Sequence, residues 1–120
     1  MKYYGASPET QIKIGKLLNI QLTGSEQDWE FIHASPHIIK PAISLIKDCS
    51  IETSARMAIP CILIESLRGH LETNNLEHPL HTEAFKAIRS NKNIHSAMHF
   101  FWLESSSRLN KTYLNSLLKY

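Results

Sequence analysis

Residues 51–71 read IETSARMAIPCILIESLRGHL, and the spacing of their apolar members decides the fold. Ile51, Ala55, Ala58, Ile59, Ile62, Leu63, Leu67 and Leu71 recur at helical intervals. The spacing predicts a helix of about five turns near residues 51–72. Between Met57 and Ile64 nearly every side is apolar, which suits a central helix around which others pack. Pro60 is expected to kink it, because proline removes one backbone bond and crowds the carbonyl four residues back.

The segments on either side are amphipathic. Ser7-Pro8-Glu9 announces a first helix: an N-cap, a proline at the first helical position and an acid at the positive dipole end. It is expected to run to about Gln21, turn Ile14, Leu17, Leu18 and Leu22 inward, and stop at Thr23-Gly24, with Gly15 weakening it. Ser25 and Asp28 form a loose capping box before a short helix through Trp29, Phe31 and Ile32 to Ala34, closed by Ser35-Pro36. A third helix carries Ile39, Ala42, Ile43 and Ile46, with Pro41 confining its regular part to Pro41 through Cys49. Past Asn74-Asn75, His78-Pro79 precedes a fifth helix through Ala84, Phe85 and Ile88, closed by Ser90 to Asn93. From Ile94 to Tyr120 a long stripe includes Ile94, Ala97, Met98, Phe101, Leu109, Tyr113 and Leu117. Ser105 to Ser107 interrupts it, leaving one bent helix or two in succession. With strand signals nearly absent, the fold class is all-α: an irregular bundle of five to six helices in a single domain over residues 1–120.

Composition agrees with a packed core. The chain has 120 residues, 42% of them hydrophobic and 20% charged, enough to bury roughly two-thirds of its unfolded surface. Met1 to Gln11 is polar and lacks the apolar stretch of a secretion signal. The apolar run from Met57 to Ile64 is far shorter than the roughly 20 residues that span a bilayer. Cys49 and Cys61 read as reduced core residues, with a bridge between them as the alternative, and the expected location is the cytoplasm. Net charge is +2, divided as −2 over residues 1–80 and +4 over residues 81–120.

Catalytic signatures do not emerge. His95 and His99 have the i, i+4 spacing that points two imidazoles to one side of a helix. A metal site would need His78 and His81 to fold back onto them, and no Glu follows His95 as a metalloprotease motif requires. Asp28 and Asp48 are the only aspartates, and the four glycines form neither a phosphate-cradling loop nor a nucleophile elbow. The expectation is a protein that is not an enzyme and holds no cofactor or metal.

Two surface features remain. In Glu26-Gln27-Asp28-Trp29-Glu30, acids flank a tryptophan. Either the acids complement a helix dipole with Trp29 turned inward, or the group is a partner-binding patch. On the last helix His95, His99, Trp102 and Ser106 form a stripe rotated away from the Ile94/Met98/Phe101 face. That second side is either wedged against a neighbour or exposed to a partner. Lys86, Arg89 and Lys92, followed by Arg108, Lys111 and Lys119, offer a basic surface, which reads as solvated or, alternatively, as contacting a phosphate backbone.

In size and layout the chain resembles the small bacterial immunity proteins of the contact-dependent inhibition type, which neutralise nuclease or pore-forming toxins. The resemblance implies stoichiometric blockade of one cognate toxin, without catalysis or membrane insertion. It implies partner contact through Glu26, Asp28, Trp29 and Glu30, whose acids would imitate phosphates in a basic toxin groove, with His95, His99 and Trp102 as a second contact row. The pI of about 8.6 departs from the acidic balance that suits a nuclease inhibitor. The alternatives are a small helical nucleic-acid-associated regulator using the basic C-terminal half, and a histidine-ligated metalloenzyme.

Overall fold

Ser7 begins the first helix. Its backbone is extended and its hydroxyl accepts a hydrogen bond from the Thr10 amide at 3.2 Å, while Pro8 fills a position whose amide needs no intrahelical partner. The computed structural model describes residues 5–24, 29–71 and 79–104, with all side chains except those of residues 31, 68–71 and 102–104. In it α1 spans Pro8–Leu18 and buries Ile14 and Leu18. The helix ends earlier than expected because Asn19 adopts the left-handed conformation (φ 57°, ψ 46°), which asparagine tolerates better than most residues. The Ile20 amide then donates to the Gly15 carbonyl at 2.9 Å. Leu17, expected to face inward, is instead 38% exposed. Leu22 returns from the following loop to pack against the core.

Gly15 makes that turn feasible. A Cβ there would lie 2.7 Å from the Ile20 carbonyl oxygen and 3.3 Å from Leu22 Cβ. The residue that weakens the helix by propensity lets the loop close against it.

A single turn, α2 (Trp29–Ile32), inserts Trp29 into the core. Ser35, which the sequence presents as a stop, is the N-cap of α3 (Pro36–Lys47): its hydroxyl accepts from the His37 amide at 3.1 Å. The helix thus begins before Pro41, where the sequence placed its start. Pro41 and His37 are both exposed, so the carbonyl that loses its partner can bond to water. Ile38, Ile39, Ala42, Ile43 and Ile46 form the buried stripe. Cys49 lies in the exposed turn beyond α3, outside the core where it was expected, whereas Cys61 is buried; neither is in a disulfide.

The predicted central helix is α4 (Thr53–Leu71), which continues through Pro60. Every residue from Met57 to Leu67 is buried, and α4 packs against each of α1, α2 and α3 as well as α5 (Pro79–Arg89) and α6 (Lys92–Met98). α5 contributes Ala84, Ala87 and Ile88 to the core, and α6 adds Ile94, Ala97 and Met98. Asn91 caps α6 through its side-chain oxygen, which accepts from the amides of Asn93 and Ile94 at 3.0 and 3.1 Å. A π-helical segment, His99–Glu104, continues α6. The interruption read at Ser105 to Ser107 and the stripe beyond it lie outside the described residues. The architecture is an all-α bundle around α4, and among the described residues no helix is long and apolar enough to cross a membrane.

Two side chains tie α3 to α4. The Ser66 hydroxyl accepts from the Ser35 amide at 3.1 Å. The Arg56 guanidinium donates through Nε and Nη2 to the Ile46 carbonyl at 3.1 and 2.8 Å, satisfying an end-of-helix acceptor. Arg56→Ala is expected to lower the unfolding free energy by about 2 kcal/mol, read from urea denaturation. Gly15→Ala is expected to destabilise as well, against the roughly 1 kcal/mol that alanine gains over glycine within a helix. A more stable Gly15→Ala protein would show that the Ile20 carbonyl can move away.

Candidate functional site

The N-terminal part of α4 leans on α1 and leaves a groove between them of about 280 Å³. Lys13, Lys16 and Leu17 form one wall, and Ser50, Ile51, Glu52 and Ala55 form the floor and the other. Glu52 stands at the start of α4, its carbonyl accepting from the Arg56 amide at 3.0 Å. Its carboxylate pairs with the Lys13 ammonium across the groove and accepts from the Ser54 hydroxyl at 2.8 Å. The Lys13 hydrogen bond, then that of Ser54, then the Lys13 charge hold the Glu52 carboxyl below the usual carboxylate range.

A second carboxylate shapes the approach. Asp48 Oδ1 accepts from the Ser50 hydroxyl at 2.6 Å and the Ser50 amide at 2.9 Å, and the Ile51 amide donates to the Asp48 carbonyl at 3.2 Å. The Ser50 hydroxyl bond first and the Ser50 amide bond next lower the Asp48 carboxyl; desolvation opposes them by more than the Arg56 charge adds. Lys16 is exposed and makes no ion pair among the described residues. Among the described residues the groove therefore has an apolar floor, a Lys13–Glu52 ion pair and one cation, Lys16, outside any ion pair.

A second hollow, about 260 Å³, is lined by Gly5, Ala6, Ser7, Thr10, Ser54 and Met57. The Ser7 hydroxyl donates to Thr10 Oγ1 at 2.9 Å while capping α1, so those hydroxyls are engaged in holding the helix start.

Of the residues singled out by sequence, the side chains of Trp29, Glu30, His95 and His99 are among those described. Trp29 and Glu30 are 4% and 6% exposed, so neither presents itself to a partner in this structure. The physical reason is that α2 is one turn wedged against α4, which draws Trp29 inward. Glu26 and Asp28 lie outside the described residues. His95 and His99 are half-buried, one turn apart, with the His99 amide donating to the His95 carbonyl. Trp102 belongs to the π-helical segment, and its side chain lies outside the described set. Among the described residues no group of three or more His, Cys, Asp and Glu gathers as a metal centre would. His81 is buried, its ring edge-on to Phe85 at 6.4 Å, and His78 lies outside the described residues.

The basic row is partly committed to packing. Arg89 places its guanidinium carbon 5.4 Å from the Phe85 ring centroid, a cation–π contact, leaving Lys86 and Lys92 exposed. Arg108, Lys111 and Lys119 lie outside the described residues. Comparison of the chain with protein-family models, with curated proteins and with solved structures finds no match.

Sequence reasoning missed the groove because it joins residues far apart in the chain. Its one local signal is the pairing of exposed Ile12 and Leu17 with Lys13 and Lys16 on α1.

The electrostatics give a direct check. Because its folded pKa is depressed, Glu52 contributes to stability above the ordinary carboxylate pKa and loses that contribution as pH falls through the lowered value. In Lys13→Gln the Glu52 carboxyl is expected to titrate closer to the ordinary glutamate value, read by NMR of its side-chain carboxyl carbon. An unchanged titration would show that the pair is not formed in solution.

Proposed function

We propose that this chain is a non-catalytic binding protein that neutralises a partner protein by covering its surface, and that it does so as an immunity protein against a bacterial toxin. The observation that carries the reading is the face formed by α1 and the start of α4. Leu17, 38% exposed, stands beside Lys13, Lys16 and Glu52 around an open groove. Apolar side chains set among charged ones that define register match the make-up of a protein interface. The two cysteines, neither in a disulfide, are compatible with a reducing cytoplasm, where an immunity protein would meet its toxin.

Burial of Glu30 and of the anchor Trp29 takes two of the four expected contacts off the surface, while Glu26 and Asp28 lie outside the described residues. The regulator alternative loses part of its footprint to the Arg89–Phe85 contact.

Growth assays test this directly. Bacteria expressing members of a panel of nuclease and pore-forming toxins are complemented with the full chain. Protection against one toxin is expected only at stoichiometric expression, together with a complex isolable by gel filtration. Leu17→Asp, on an exposed position, is expected to leave the circular dichroism spectrum unchanged and weaken the complex at least about tenfold. Protection at far below stoichiometric levels would indicate catalysis. A complex indifferent to Leu17→Asp would refute the groove as the interface.

A further inference from the structure

We infer that the groove between α1 and α4 receives an acidic, apolar segment of the partner protein, with an aliphatic side chain on Ile51 and Ala55 and a carboxylate against Lys16. This rests on the binding role proposed above and specifies the chemistry of what binds.

Size comes first. The groove, about 280 Å³, is open to solvent, whereas a small-molecule or cofactor site buries most of its ligand. It suits one or two side chains of a polypeptide lying along α1. Floor chemistry comes next, since Ile51, Ala55 and Leu17 provide hydrocarbon and no hydrogen-bonding requirement.

Charge then selects among apolar segments. Among the described residues Lys13 is matched by Glu52, and Asp48 accepts from Ser50 with Arg56 nearby, so the groove-lining cation without a counterpart among them is Lys16. Lys16 lies three residues, about 4.5 Å along the helix axis, beyond Lys13. A carboxylate seated there gains an ion pair without displacing Glu52. A phosphate polyanion, by contrast, would have to lie across the Glu52 carboxylate and over an apolar floor. A basic segment would face Lys16 unpaired. The groove thus discriminates in favour of single carboxylates next to aliphatic groups.

The test uses the full chain labelled for NMR and three probes: a short peptide of alternating Asp and Leu, the same peptide with Lys for Asp, and inorganic phosphate. The Asp/Leu peptide is expected to shift the amides of Lys16, Leu17, Ile51 and Ala55, and added salt is expected to weaken it. Lys16→Gln is expected to reduce its affinity about two- to fivefold, the worth of one exposed ion pair, and Lys16→Glu to transfer the preference to the Lys/Leu peptide. Equal response to both peptides, shifts confined to other surfaces, or phosphate reproducing the pattern would overturn the inference. The toxin assay separates the two claims. Protection that survives Lys16→Glu but fails with Leu17→Asp leaves the binding role standing and removes the acidic segment. Peptide selectivity with no protected toxin does the reverse.

Discussion

A helix that is apolar on every side cannot rest on a surface, and this one constraint organises the molecule. From Met57 to Leu67 every residue of α4 is buried, so its whole circumference has to be covered by other segments. Each fully buried Ile or Leu contributes about 1.5–3 kcal/mol, and α4 alone contains Ile59, Ile62, Leu63, Ile64 and Leu67. The surrounding helices are correspondingly free to be imperfect. α2 has a single turn, α3 carries an internal proline, and α6 passes into a π-helical segment, because burial against α4 fixes them where propensity alone would not. The two polar ties from α3, to Ser66 and Arg56, add register to a non-directional force.

What could be read in advance follows the same division between local and non-local causes. The period of α4 and the Ser7-Pro8 start of α1 are local, and the structure has both. The end of α1 was misread because two residues could take the left-handed conformation: Gly24 does have a positive φ, but Asn19 has one earlier and closes the helix first. Leu17, although within α1, faces outward while its neighbour Leu18 is buried. Ser35-Pro36 is ambiguous in the same way, since a serine followed by proline ends one helix as readily as it begins another. Cys49 looked apolar by its neighbours and proved to sit in a turn.

The candidate site was less legible than the fold. An acidic cluster beside a tryptophan is conspicuous in sequence, yet packing against α4 decides which way Trp29 points, and no local pattern records that. The groove has the opposite character. Lys13 and Glu52 are unremarkable until α1 and α4 bring them together, and only then does Lys16 stand out, among the described residues, as the groove-lining charge left over. Of the basic row, Arg89 also turns over Phe85, a contact that local sequence does not announce.

The placement of the two thiols has a use independent of any partner. Cys49 is open to solvent, while Cys61 sits inside the fully covered stretch of α4. An alkylating reagent can reach Cys61 only when the surrounding helices part, whereas Cys49 reacts in the closed molecule. The ratio of the two labelling rates is therefore a built-in gauge of how often the interior opens, with the accessible thiol serving as its internal standard.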